Sequence, residues 1–266
     1  MKHLNLIFAL LLICSTALAQ NKGRDTYIPK ESPVPCLDSM SILCIGNSFT
    51  YFYDAPHKLQ EIAAFEGHYL DVTVSVKGGW SCRKHLVYEP TVKAVAKGGY
   101  DVAFIQDQSQ AAARYFKDRK AHPYVGKDFE TLADYVKTYS RDCRIILEGT
   151  WSFPDKKGKT AKEFGSEEKF DELIGKGARK IARHYGADLS PIGDAFSLSR
   201  RLYPEIELLH SDCKHSGPAG MYLKACVNYL ILYRQDFGPN PSNCDLEPDT
   251  AAKLRSVARS IVLKKR

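Results

Sequence analysis

Short apolar runs that alternate with helical patterns constrain this chain more than any other feature. The runs at 41 to 46 (SILCIG), 69 to 76 (YLDVTVSV), 101 to 106 (DVAFIQ), 143 to 149 (CRIILEG) and 188 to 192 (DLSPI) read as strands. Patterns near 55 to 66, 83 to 97, 127 to 140, 166 to 185, 218 to 235 and 249 to 263 read as helices. Parallel strands need crossover connections, and a helix after each strand supplies one. Several runs are almost wholly apolar, as a sheet buried on both faces requires. The expectation is an α/β fold in which a parallel sheet is covered on both sides.

The N-terminus begins Met1-Lys2-His3, continues with an apolar run and reaches Ala17-Leu18-Ala19, a small-x-small site. This pattern reads as a secretory signal cleaved after Ala19, too short for a spanning helix. Cys14 follows the bulky Ile13, which argues against lipoprotein processing. Residues 20 to 40 are polar and proline-bearing, an extended leader. Residues 41 to 266 then form one expected domain, without repeats or an internal boundary. No later segment approaches the roughly 18 consecutive apolar residues of a membrane span, so an exported, soluble mature chain is expected, periplasmic or extracellular. The net charge of +7 is scattered, apart from clusters at 155 to 162 and 264 to 266, and does not form a nucleic-acid surface.

Beyond Cys14, seven cysteines remain: Cys36, Cys44, Cys82, Cys143, Cys213, Cys226 and Cys244. Export permits disulfides, and an odd count leaves at least one thiol unpaired. Cys44, Cys143 and Cys226 lie in apolar runs and read as core residues, which leaves the others for any bridge. No CxxC pair or His-rich spacing is present, so no metal is expected.

Two long connections, 107 to 126 and 150 to 165, follow the carboxyl ends of predicted strands, the edge where open α/β sheets bind ligands. Ser48 stands at the same edge after the first strand. A serine there can simply cap a helix. It can also be a nucleophile, if a base lies within hydrogen-bonding reach and a third group orients that base. The run HSDCKHSGPAG offers Asp212 and His215 three residues apart on one loop. Gly78 and Gly79 follow the second strand, where a backbone amide can approach a developing oxyanion. Gln106, Gln108 and Gln110 follow the third, where a carboxamide could add a donor. His57 and His68 read as surface or capping residues, Asp54 as a helix cap and His85 as packing. Trp80, Trp151, Phe153 and Tyr115 fall near strand ends, as loop packing or as an aromatic rim.

Gly46-Asn47-Ser48-Phe49-Thr50, Gly78-Gly79-Trp80-Ser81 with His85, the Gln-rich end of the third strand and Asp212-x-x-His215 together resemble the four blocks of the SGNH/GDSL hydrolase superfamily. The likeness is strongest to its secreted bacterial branch, domain of unknown function 4886, and spans about 41 to 262. It implies a three-layer α/β/α flavodoxin-like fold with five parallel strands. It also implies Ser48 as nucleophile, His215 as base, Asp212 as orienter, and the Ser48 and Gly79 amides as oxyanion donors. The third block departs from the usual Gly-x-Asn-Asp, which leaves Gln108 or Gln110 to stand for the asparagine. Cys213 replaces a glycine common in the relatives; it reads as an inert thiol or as a partner of Cys82.

The resulting expectation is a secreted serine esterase without cofactor, removing an acetyl or other small acyl group from a carbohydrate. The alternatives are a lipid-ester or thioester hydrolase of the same fold and a catalytically weak carbohydrate-binding surface protein.

Overall fold

The computed structural model describes residues 39–154 and 159–263. The expected signal peptide, nearly all of the leader, Cys36, the terminal basic cluster and half of the one at 155 to 162 lie outside these residues.

Five strands, β1 (Met40–Gly46), β2 (Leu70–Val76), β3 (Val102–Ile105), β4 (Arg144–Glu148) and β5 (Asp188–Ser190), form one sheet in the order β2-β1-β3-β4-β5. Every pairing is parallel. A one-turn helix α1 (Ser48–Tyr51) and a 3-10 turn (Phe52–Asp54) lead from β1 into α2 (Ala55–Phe65). The helices α3 (Cys82–His85), α4 (Glu89–Lys97), α5 (Ala111–Lys117), α6 (Tyr124–Tyr139), α7 (Lys159–Phe164) and α8 (Glu167–Tyr185) follow in chain order. They are completed by α9 (Ile192–Leu202), α10 (Pro218–Tyr233) and α11 (Pro248–Val262).

Alternation along the strands divides the core into two layers. Ile42 and Cys44 of β1 face a cluster with Leu59 of α2, Phe196 of α9, Tyr222 of α10 and Leu254 of α11. Leu43 and Ile45 face the opposite cluster, with Val95 of α4, Leu132 of α6 and Ile181 of α8. All four of these side chains are buried, so the middle of β1 is apolar on both faces. The five expected strands and the three-layer α/β/α fold are present.

The helical expectations needed revision where a local signal interrupts the period. The single helix expected over 83 to 97 is two, because Leu86 closes α3 and Pro90 restarts the chain at the beginning of α4. The fifth strand ends at Ser190 rather than 192, and Pro191 leads into α9, an element the sequence pattern does not mark. The two long connections carry α5 and α7. Asp54 precedes α2 in a left-handed conformation without capping it; its carboxylate meets His57 Nδ1 at 2.6 Å instead.

The six described cysteines are all free thiols. Cys44, Cys143 and Cys226 are buried as expected. Cys82 is fully buried as well and unbridged, so the alternative pairing with Cys213 is not made. Burial pushes the Cys82 thiol well up and the Cys143 thiol up to about 12, which suits inert packing groups.

Candidate active site

The carboxyl edge of the sheet brings together loops far apart in the chain. Asn47 is the N-cap of α1: its backbone is extended and its Oδ1 accepts from the Phe49 amide at 3.0 Å. The turn is tight enough that Gly46 has no room for a side chain. A Cβ there would lie 2.3 Å from Thr50 Oγ1 and 2.8 Å from Gln106 Oε1. Gln106, at the end of β3, accepts from the Asn47 amide at 3.0 Å and from Thr50 Oγ1 at 3.1 Å. His85 Nε2 donates to the Gly46 carbonyl at 2.9 Å, and its Nδ1 meets Thr91 Oγ1 at 2.7 Å. A carbonyl accepts only, so Nε2 bears a hydrogen. Burial lowers the His85 pKa to about 4, against the bond to Gly46, which makes it a neutral brace.

This braced turn presents Ser48 Oγ 2.8 Å from His215 Nε2. His215 Nδ1 lies 2.5 Å from Asp212 Oδ2. The loop that holds the pair closes on itself: the His210 amide donates to the His215 carbonyl at 2.7 Å, and the Cys213 amide to the His210 carbonyl at 2.8 Å. Asp212 Oδ1 accepts from the Lys214 and His215 amides, each at 2.9 Å. Burial alone would raise the Asp212 pKa, but the His215 side chain and these two amides outweigh it and hold the carboxyl at about 2. A depressed carboxylate pKa stabilises the fold above its unfolded value, and that contribution disappears only as pH falls through about 2. Asp212 is therefore a carboxylate throughout the working range of an enzyme.

Ring stacking fixes the imidazole plane. Phe52 lies parallel to His215 with centroids 4.1 Å apart and planes 14° apart, and Phe49 meets it edge-on at 5.7 Å. Phe49 in turn stacks on Trp151 at 4.3 Å, and Trp151 on Phe196 at 4.5 Å. Trp151 Nε1 donates to the Lys214 carbonyl at 3.1 Å, which ties this column to the Asp212-His215 loop. Trp151, Phe153 and Tyr115 are thus core residues rather than a rim, and Trp80 alone of those four aromatics is half-exposed. Tyr53 and His210, partly exposed beside Phe52 with centroids 6.1 Å apart, form the aromatic wall that the sequence did not suggest.

Gly79 has φ +70°, a conformation that favours glycine, and open space where a side chain would be. Asn47 Nδ2 donates to the neighbouring Trp80 carbonyl at 2.8 Å and so ties this turn to the serine turn. Neither the Ser48 nor the Gly79 amide donates to another backbone or side-chain atom among the described residues.

Gln108 and Gln110, the expected third donors, make local bonds among the described residues. Gln108 Oε1 accepts from the Gln110 amide at 3.0 Å, and its Nε2 donates to Ser109 Oγ at 3.4 Å. Gln110 Oε1 accepts from Arg114, which is itself paired with Glu163. The glutamine that engages the serine turn is Gln106, and it does so as an acceptor. Gln106 directly follows the last residue of β3 and is buried, whereas Gln108 and Gln110 lie further along the loop and are partly exposed. Among the described residues, no group of three or more His, Cys, Asp or Glu is gathered to hold a metal, and no helix is long and apolar enough to cross a membrane.

No protein-family model matches the sequence, and no curated protein matches it. Solved structures do resemble it. A DUF4886 family protein from Bacteroides uniformis aligns with a TM-score of 0.71 and 20% identity over 85% of this chain and 96% of that one. A protein from Slackia heliotrinireducens assigned as an SGNH hydrolase aligns at 0.60 and 23% identity, over 73% of this chain and 99% of that one. One from Parabacteroides merdae assigned as a GDSL-like lipase aligns at 0.53 and 17%, over 73% and 94%. The strand order, the parallel pairing and these likenesses agree: the chain has the fold of the SGNH hydrolases, and its likeness to a DUF4886 family protein extends over most of its length.

Proposed function

We propose that this protein is an exported serine esterase that transfers a small acyl group from a carbohydrate alcohol to water. The observation that carries the reading is the Ser48-His215-Asp212 relay, with its 2.8 Å and 2.5 Å contacts. Ser48 Oγ attacks the ester carbonyl carbon while His215 Nε2 takes its proton. The carbonyl oxygen becomes an oxyanion and accepts from the Ser48 and Gly79 amides. Collapse of this intermediate breaks the bond to the alcohol, which leaves with the proton from His215. Water then gives a proton to His215 and attacks the acyl-serine, and the acid departs as the proton returns to Ser48 Oγ. Asp212 remains ionised, holds Nδ1 protonated and stabilises the imidazolium.

One feature favours a sugar alcohol. The partly exposed rings of Tyr53 and His210 offer flat faces near the base, where the leaving alcohol must lie. Export rests on the signal-like N-terminus.

The test is hydrolysis of p-nitrophenyl acetate, longer acyl esters and acetylated polysaccharides by the parent and by Ser48→Ala. Ser48-dependent release of acetate from the polysaccharide, with activity falling as the acyl chain lengthens, supports the proposal. A preference for long acyl chains would select the lipid-ester alternative. Equal activity in Ser48→Ala and the parent would end the serine-hydrolase reading.

A further inference from the structure

Helix α10 is buried on nearly every side, yet its middle carries a lysine. Lys224 is only 1% exposed. Its Nζ donates to Glu148 Oε2 at 2.7 Å, at the end of β4, and to the Phe49 carbonyl at 3.1 Å. Glu148 Oε1 accepts from Asn228 Nδ2 at 2.7 Å, one turn further along α10. Asn228 Oδ1 then accepts from Ser190 Oγ at 2.6 Å, at the end of β5. A continuous polar chain thus runs from β5 through α10 and β4 to the residue next to Ser48.

Stability does not explain this chain. Desolvating two charges typically offsets their attraction, so apolar residues of similar volume would serve the core as well or better. The bond that such a replacement would lose is the one to Phe49. A one-turn helix leaves its carbonyls without following amides to accept from, and burial makes an unmatched carbonyl unfavourable. Lys224 supplies that donor, and Glu148 keeps the ammonium compensated and aimed.

We infer that Lys224 is a positioning residue for the nucleophile: by holding the Phe49 carbonyl it sets the turn that aims Ser48 Oγ at His215 and the Ser48 amide at the cleft. The inference rests on the serine-esterase reading. It concerns a residue that touches neither substrate nor the relay itself, and it assigns the buried pair to geometry rather than to stability.

The experiment compares the parent with Lys224→Met/Glu148→Gln, which removes the tether without leaving an unpaired buried charge. The readouts are the thermal midpoint, kcat and KM on p-nitrophenyl acetate, and the rate of covalent labelling of Ser48 by a fluorophosphonate. The expected result is a midpoint within a few degrees of the parent, KM within about twofold, and both kcat and the labelling rate lower by about tenfold or more. A folded double variant with parental kcat and labelling rate would overturn the inference. Glu148→Asp provides a milder version, since the shorter carboxylate draws the ammonium away from Phe49. It should lower kcat several-fold at unchanged KM, and parental kcat in that variant would equally overturn the inference. A parent that is not labelled at Ser48 at all would instead overturn the esterase reading, and the inference with it.

Discussion

The two halves of the candidate relay are held by opposite means. The serine turn is a buried construction, with Asn47 2% and Gln106 1% exposed, and its bonds come from β3, α3 and α10. The Asp212-His215 loop is an open one: the Asp212 side chain is 40% exposed, and nearly all its bonds come from within residues 210 to 217. Ser48 is therefore placed by the whole fold, whereas His215 is placed by one short loop and the Phe52 ring stacked on it. Substitutions on the first side that leave a buried donor or charge unpaired should disturb stability and activity together. On the second side they should affect activity while the fold stays intact.

The largest test of this contrast is Asp212→Asn. The amide cannot accept the Nδ1 proton as a carboxylate does, so kcat should fall by about 10³- to 10⁴-fold. The thermal midpoint should stay close to that of the parent, because the side chain faces solvent. Large unfolding in this variant would show that the loop is not self-contained. Its acid form is reached only near pH 2, so any acid limb of the parent's rate profile above pH 3 belongs to another group.

Gln106→Leu probes the buried half. It removes the acceptor for the Asn47 amide and Thr50 Oγ1, and leaving those donors unmatched should destabilise the fold by about 1–3 kcal/mol. The serine turn then loosens, and kcat should fall by roughly tenfold to a hundredfold. Denaturant unfolding beside steady-state kinetics measures both; a loss of activity without a loss of stability would contradict the buried-scaffold account.

Asp107 sharpens the same point through pH. Burial raises its carboxyl to about 6 from an ordinary 3.8, despite hydrogen bonds from the Cys82 and Gln108 amides that pull it down. A raised acid binds its proton more tightly when folded, so stability falls as pH rises from about 4 to 6. Asp107→Asn keeps the Oδ1 acceptor and removes the titration. Relative to the variant, the parent should lose up to ~2 kcal/mol across that window in urea unfolding. A constant difference between the two at pH 4 and pH 7 would show that this carboxyl is not strained by burial.

Much of this organisation is legible in the residues themselves. The strands announce themselves because burial on both faces leaves only apolar positions. Ser48 and the Asp212-His215 pair are legible because a nucleophile and its base need particular residue types at loop positions. The braces are harder to see, since their meaning lies in contacts across the fold. Lys224 sits in MYLKACVNYL, where a lysine reads as the solvent side of a helix until β4 is found opposite with Glu148. Gln106 is one of three glutamines at alternate positions, and only its burial in the fold separates it from Gln108 and Gln110. Helix α9 hides behind Pro191 because a proline after a short apolar run reads as a strand end and a loop.

The smallest expected effect is at Cys213, whose φ of +60° favours glycine over any side chain. Relief of that strain and the added freedom of the unfolded chain oppose each other. Cys213→Gly should therefore change stability by less than ~1 kcal/mol and leave kcat within about twofold. A collapse of kcat at unchanged stability would mean that the thiol itself takes part in the reaction.

The central claim, that the relay turns Ser48 into a nucleophile, is tested most directly by intact-mass analysis after exposure to a fluorophosphonate. The account predicts one adduct on the parent, located at Ser48, no adduct on Ser48→Ala, and labelling at least a hundredfold slower on His215→Ala. Labelling of Ser48→Ala at the parental rate, or a parent that stays unmodified while folded, would contradict it.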